Sequence, residues 1–171
     1  MARLVRPSNR YKKSFLEAVE EPGAQQLFAR FRGRPEGESF PAYVRRIRSY
    51  SKGVSLKNGL VPETTYWLVE GDIYIGRVSV RHKLNRSLQK KGGHIGYDIR
   101  PSKRRCGYGR LILKLSLRKA KELGFSRVLI TCLSTNIASQ KIIKANGGVF
   151  KSEVCTQKGK PTTYRYWVDI K

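Results

Sequence analysis

Acidic side chains are scarce in this chain. Its 171 residues hold 12 Asp and Glu against 36 Lys and Arg, a formal net charge of +24. The imbalance is uneven: residues 1–70 carry 13 basic and 7 acidic side chains, residues 71–171 carry 23 and 5. Such a field attracts polyanions and speeds their encounter, so RNA, a ribosome or an acidic protein is an expected partner. A basic surface that is merely solvated is the alternative. Long apolar runs are missing too. No stretch of 18 apolar residues exists, which argues against a transmembrane helix and a membrane partner. The opening segment, MARLVRPSNRYKK, lacks the apolar core of a secretory signal. Cysteines are few: Cys106, Cys132 and Cys155 make an odd count without metal-ligand spacing. Neither a disulfide framework nor a metal site is expected, and the chain reads as cytoplasmic with reduced thiols. Internal repeats, linkers and low-complexity tracts are absent. One domain over residues 1–171, with 39% hydrophobic residues to build a core, is the simplest division.

The most informative stretch that is present runs from Gly93 to Leu123. An apolar run from His94 to Ile99 reads as a strand, a basic glycine-bearing turn follows over Pro101 to Gly109, and a helix spans about Tyr108 to Leu123. A strand, a glycine turn and a helix N-terminus make an anion site, because backbone N–H groups can approach a phosphate and the helix dipole favours it. Arg104, Arg105 and Arg110 add charge. A dinucleotide fingerprint needs a third glycine, but the chain from Gly107 reads GYGRLI; a Walker A loop needs Gly-Lys-Ser/Thr, which does not occur here. The alternative is a plain helix start with glycines for the turn.

Around this stretch the periodicity supplies the other elements. A short strand covers residues 2–7, a helix runs from Tyr11 to Glu20 behind Ser8 or Asn9, AQQLFARF forms a helical turn or two within 22–38, and a helix spans Phe40 to Tyr50. Thr65–Val69 and Ile73–His82 form a hairpin about Gly71-Asp72, and a loop over Lys83 to Gly92 leads into the central strand. Gly124 stops the long helix; Arg127–Leu133 is a buried-type strand, Ser134–Asn146 a short helix, and Val149–Thr156 and Thr163–Ile170 two closing strands. The strand–helix–strand order implies a parallel pair. On the long helix, Arg110, Lys114, Arg118 and Lys121 share one face, either as a solvated stripe or as a contact for polyanion phosphates.

The segment Arg104-x-x-Gly107-x-Gly109, with a strand before it and a helix after it, resembles the pyrophosphate loop of the GNAT superfamily of N-acetyltransferases. Asn136-x-x-Ser139, with Gly147 eight residues on, is similar to the superfamily's second motif, and VPETTYWLV, VSVRHKLN and GGHIGY resemble a bacterial branch of it. The element order matches over nearly the whole chain. The resemblance implies an α/β (α+β) GNAT fold: a central, mixed, mostly antiparallel sheet of six to seven strands with a splayed parallel pair and flanking helices. It implies that an amine attacks the thioester of acetyl-CoA directly, without metal or covalent intermediate. Backbone groups of Asp98, Ile99 and Arg100 would hold the pantetheine arm. Arg104, Arg105, Cys106, Gly107, Tyr108, Gly109 and Arg110 would hold the pyrophosphate, Asn136 would bond the cofactor, and Ser139 the local backbone. Asn136 as a plain helix N-cap is the alternative.

For proton removal the matching family position is His94, with His82 nearby and Asp98 at i+4 on the same strand face. A pKa near 6.5 suits that work, although either histidine could simply tie a strand to a loop. The family's usual acid, a tyrosine four residues after the motif serine, is replaced by Ile143, which leaves Tyr97, Cys132, water or an unassisted thiolate. The acceptor is an amine on a small molecule, a protein or an aminoacyl-tRNA. A nucleic-acid- or ribosome-binding module with weak or no catalysis is the alternative on the same scaffold.

Overall fold

A computed structural model describes residues 1–24, 37–54, 56–155 and 159–170. The helical turns expected within AQQLFARF lie outside the described residues. Elsewhere the chain order is β1 (Arg3–Val5), α1 (Lys12–Glu20), α2 (Phe40–Ser49), β2 (Glu63–Glu70), β3 (Ile73–Arg81), α3 (Arg86–Lys90), β4 (Ile95–Ile99), α4 (Tyr108–Glu122), β5 (Arg127–Leu133), α5 (Ile137–Lys144), β6 (Val149–Val154) and β7 (Thr163–Asp169). The expected loop over 83–92 contains α3, a short helix that Asn85 caps by accepting the Leu88 amide at 2.9 Å. Ser39 caps α2 in the same way, with Pro41 in its first turn, where no backbone donor is lost.

The strands form two antiparallel ladders, β1-β2-β3-β4 and β5-β7-β6. The crossover β4–α4–β5 links the two ladders, and between β4 and β5, where a parallel pair is expected, no ladder forms among the described residues. Helix α4 packs on one face of both ladders, placing Ile112, Leu113 and Ala120 against Val78, Val80, Ile95, Ile99, Val128 and Ile130. Helices α1 and α2 cover the other face of β2 and β3 with an aromatic cluster. Trp67 stacks on Phe15 at 5.0 Å between centroids and meets Tyr74 edge-on at 5.4 Å. A β-bulge shifts the β2–β3 register between Leu68 and Val69.

Between β4 and β5 there is a clasp at one end and a gap at the other. His94 N donates to Leu129 O at 2.7 Å, Leu129 N donates to His94 Nδ1 at 2.9 Å, and Gly92 N donates to Thr131 Oγ1 at 2.8 Å. The His94 carbonyl accepts from Arg81 N at 2.8 Å, so this residue joins the two ladders through its backbone and its ring. Gly93 has φ +62°, and a β-carbon there would overlap the Leu129 carbonyl. The imidazole is buried against Phe125 and Trp167. These contacts correct the expectation that His94 is the catalytic base. Its Nδ1 lone pair is committed to the Leu129 amide, its proton sits on Nε2, and taking another proton would break the clasp.

Two predictions concern the clasp. Gly93→Ala combines left-handed strain with overpacking and should destabilise the fold by about 2–4 kcal/mol; thermal unfolding checks this, and an unchanged Tm would show that the clasp is dispensable. Burial, reinforced by the Arg81 charge, lowers the His94 pKa, and burial also lowers that of His82. Because the folded state disfavours their protonation, the stability they contribute is complete above the ordinary histidine value of about 6.5 and is lost as pH falls below it. Tm should therefore drop between about pH 7.5 and 5.5. His94→Asn, which retains an acceptor but does not titrate, should drop less; equal slopes in a pH series would remove His94 as a source of the effect.

Candidate functional site

Beyond the clasp the two strands diverge, and the gap is a cavity of about 780 Å³ lined by β4 from Ile95 to Ile99, by Thr131 to Leu133 of β5, and by the start of α5. The volume falls within the range of sites that hold cofactor-sized molecules. At its wide end lies the loop before α4. Arg105 (φ 60°) and Gly107 (φ 79°) both take positive φ, the alternation of backbone conformation from which anion nests are built. Gly107 occupies the N-cap position of α4 and no side chain caps the helix there, so the dipole and first-turn amides are left for a ligand. Arg104, Arg105, Arg110 and Lys141 line the same end. Gly109 has a packing role besides: a β-carbon there would stand 2.6 Å from Ile142 Cδ1 of α5.

The loop is held from below. Arg100 Nε donates to Glu21 Oε1 at 2.6 Å and Nη1 to the Tyr74 carbonyl at 3.1 Å, while the Ser102 amide and hydroxyl donate to Glu21 at 2.9 and 2.6 Å. Burial alone would raise the Glu21 carboxyl, but Ser102 and Arg100 outweigh it and hold its pKa below the ordinary range. This corrects the expectation for Arg100. Its amide is bonded to Ile75 O at 2.9 Å and its guanidinium is buried in the Glu21 network, so it anchors the loop instead of lining the cavity. Arg104 Nε reaches the Ile99 carbonyl at 3.2 Å. The Cys106 and Tyr108 side chains turn elsewhere, Cys106 Sγ to Arg104 O at 3.3 Å and Tyr108 Oη to Glu70 at 2.8 Å, so that only their backbones belong to the nest.

Helix α5 supplies the opposite wall. Asn136 is its N-cap, accepting the Ser139 amide at 2.9 Å, and it also lines the cavity. Ser139 Oγ lies 3.0 Å from Tyr97 Oη. Burial pushes the Tyr97 phenol up to about 12 and raises the Cys132 thiol. Ile143, in the position of the usual acid, is fully buried core. Among the three candidate catalytic groups, Asp98 alone faces the cavity. His82 is a third correction. Its Nε2 pairs with Thr64 Oγ1 at 2.8 Å and its amide donates to Pro62 O, which fixes it at the β2–β3 end away from the cavity.

Sequence reasoning missed Arg81, Lys91, Thr131 and Thr163, which also line the cavity. Thr163 is 1% exposed, and its Oγ1 has no hydrogen-bond partner among the described residues. Only its alternating position on β7 could have flagged it. Uncapped amides and an arginine-rich wide end together fit a pyrophosphate-bearing cofactor. Among the described residues no cluster of metal-ligating side chains occurs, and no helix is long and apolar enough to cross a membrane.

Comparison with solved structures finds the same fold. The self-immunity acetyltransferase MccE for microcin C7, solved with acetyl-CoA and AMP, is 12% identical with a TM-score of 0.65, covering 99% of this chain and 92% of its own. An acetyltransferase of Salmonella typhimurium that modifies the N-terminal serine of a 50S ribosomal subunit protein is 14% identical with a TM-score of 0.64, covering 99% and 95%. A spermidine N-acetyltransferase chimera of the Vibrio cholerae and hSSAT enzymes is 15% identical with a TM-score of 0.61, covering 98% and 95%. No curated protein matches at a significant level. The family model for the acetyltransferase (GNAT) domain matches residues 13–149, a span that takes in the splayed strands, the nest and the α5 wall, and the chain accordingly belongs to the GNAT acetyltransferase family.

Proposed function

We propose that this protein transfers the acetyl group of acetyl-CoA to a primary amine by direct attack. The observation that carries the reading is the gap between β4 and β5, closed by the clasp at one end and opening on the uncapped nest of α4 at the other. Bound acetyl-CoA supplies an acetyl thioester, whose C–S bond breaks as the amine forms the C–N bond, the thiol product keeping the sulfur electron pair. Arg104, Arg105 and Arg110, with the amides of Cys106 to Gly109, hold the pyrophosphate. The backbone of Asp98 and Ile99, with Asn136, Ser139 and Thr163, aligns the arm along the cavity.

The proton lost by the attacking ammonium goes to Asp98, directly or through a water, because it is the carboxylate that lines the cavity. Tyr97 faces the same space, and its high pKa decides its role. Burial keeps its phenol protonated, so Tyr97 serves as a neutral hydrogen-bond donor and the sulfur takes its proton from solvent. A contact with a polyanion such as RNA is a second property that one observation favours: Arg110, Lys114, Arg118 and Lys121 are all exposed along α4.

Acetyl-CoA at about 100 times its Kd should add roughly 2.7 kcal/mol, or about 5–10 °C in Tm. Gly107→Glu, which sets a negative charge in the nest, should abolish that shift. A missing shift in the wild type, or an intact one in the variant, would overturn the cofactor assignment. Asp98→Asn should keep the acetyl-CoA shift and lower kcat by about 10²–10⁴-fold. His94→Asn, assayed alongside at pH 8, should stay within a few-fold of wild type. The reverse ranking of the two variants in a thiol-release assay would return the base to His94.

A further inference from the structure

One cation of the second ladder stands without a partner. Arg165 lies on β7, and its Nε is enclosed with no hydrogen-bond partner among the described residues. No ion pair among those residues involves its guanidinium. Two positions before it on the same face, Thr163 is 1% exposed and its Oγ1 is likewise unpartnered. Other strand arginines on this face are committed. Arg127 of β5 pairs with Asp169 at 3.0 Å and lies over the Trp167 ring at 4.8 Å. Beside β3 there is a small cavity of about 210 Å³ lined by Glu63, Arg77 and Arg81. There Arg81 pairs with Glu63 at 3.7 Å and meets the carbonyls of Gly92 and Gly93, and Arg77 has partners of its own.

The strand register brings Arg165 to the clasped end of the large cavity. Its cross-strand partner on β5 is Thr131, and on β6 it is Ser152. Paired residues on one face have β-carbons about 5 Å apart, so one strand spacing separates Arg165 from Thr131, which lines the cavity. Thr131 accepts the Gly92 amide at 2.8 Å as part of the clasp. With the pyrophosphate at the wide end, an extended arm carries its thioester toward the clasp, and so toward the pair of Thr131 and Arg165. Leu133 and Thr163, another pair on the same face, line the cavity on the side of the wide end.

The charge around Arg165 selects the occupant. β5 carries no acid. Glu153 of β6 pairs with Tyr164, so it stands on the opposite face, and Asp169 is taken by Arg127. A half-buried guanidinium with an enclosed Nε and no carboxylate gains most from a ligand oxyanion, which accepts two parallel N–H bonds in the geometry that arginine favours. Thr131 and Ser152, on either side of it, add hydroxyl donors. A polyamine would set like charge against Arg165 and against the net +24 of the chain.

We infer that the acceptor lies over this face of β5 and β7, and that it is a small amine bearing an oxyanion, carboxylate or phosphate, which Arg165 reads. The oxyanion sits on Arg165, and the amine reaches past Thr131 to the thioester. On attack the nitrogen bonds to the acetyl carbon as the C–S bond breaks. The surplus proton passes to Asp98 or water, and the sulfur leaves with the electron pair to become the thiol. Arg165 determines specificity and takes no part in the proton's path. The inference rests on the acetyltransferase reading.

The test uses the full chain, acetyl-CoA and thiol detection. Glycine, β-alanine and L-leucine are each paired with their carboxamide, O-phosphoethanolamine with ethanolamine, and spermidine is added. At least one oxyanion-bearing amine should exceed its neutral counterpart by about 10–100-fold in kcat/KM, the worth of a hydrogen bond to a charged group. Which arm wins separates carboxylate from phosphate. Arg165→Met should erase the preference by raising KM for the anionic amine while the acetyl-CoA thermal shift stays intact, and Arg165→Lys should keep part of it. If Arg165→Met does not fold, Ser152→Glu, which sets a carboxylate opposite Arg165 on the edge strand, should weaken the anionic amine in the same way and spare its neutral counterpart. Neutral counterparts matching every oxyanion-bearing amine, spermidine ranking first, no amine accepted despite an acetyl-CoA shift, or a preference unchanged in these variants would overturn the site and its class. Loss of the wild-type shift would instead overturn the acetyltransferase reading.

Discussion

The architecture depends on one joint. Two antiparallel ladders of four and three strands meet where His94 is bonded to β3 by its carbonyl and to β5 by its amide and ring. A continuous ladder would have sealed β4 to β5, since unpaired strand edges inside a protein are costly. The clasp satisfies the edges at one end and leaves them open at the other, where a polar ligand can complete them. Gly92 and Gly93 make this possible by turning the chain through left-handed conformations just before β4. The cavity is thus a consequence of sheet pairing stopped short.

A second constraint holds the wide end of that cavity in place. The loop before α4 is rich in like charge and contains a non-glycine residue, Arg105, at positive φ. It is steadied from α1, where Glu21 receives both Ser102 and Arg100 while Arg100 also reaches Ser14 and the Tyr74 carbonyl. The buried guanidinium is therefore hydrogen-bonded on several sides and ion-paired, the condition under which a buried charge is tolerated. The aromatic cluster around Trp67 in turn packs α1 against the sheet, so the far helix is coupled to the loop's position through a few contacts.

The surplus charge divides into parts with different work. Arg104, Arg105 and Arg110 stand at the cavity's wide end, Arg77 and Arg81 lie in or beside the small cavity, and Lys114, Arg118 and Lys121 lie along the exposed face of α4. Arg81 is fixed by the carbonyls of Gly92 and Gly93 and so acts as a preorganised charge. The last group is solvated and screened by salt, and it acts at longer range.

Much of the fold was legible before any coordinates. Hydrophobic period, glycine positions and cap residues marked every described strand and every described α-helix except α3, a five-residue helix within a stretch of polar sequence too short to show a period. The nest was legible because its chemistry is local: Arg104, Gly107 and Gly109 are neighbours in the chain, and so are Asn136 and Ser139. What tertiary structure decided was the direction and partner of each side chain. His94 and Asp98 lie on one strand and both titrate, yet one ring is committed to the Leu129 amide while the other residue lines the cavity. Arg100 follows the cavity-lining Ile99 but is drawn down to Glu21, 79 positions away. Thr163 and Arg81 carry no local pattern, and they join the site only because β7 pairs with β5 and β3 with β4. Local spacing determines which backbone groups a turn exposes, whereas long-range pairing determines which side chains lose their freedom to a partner and which are left for a ligand.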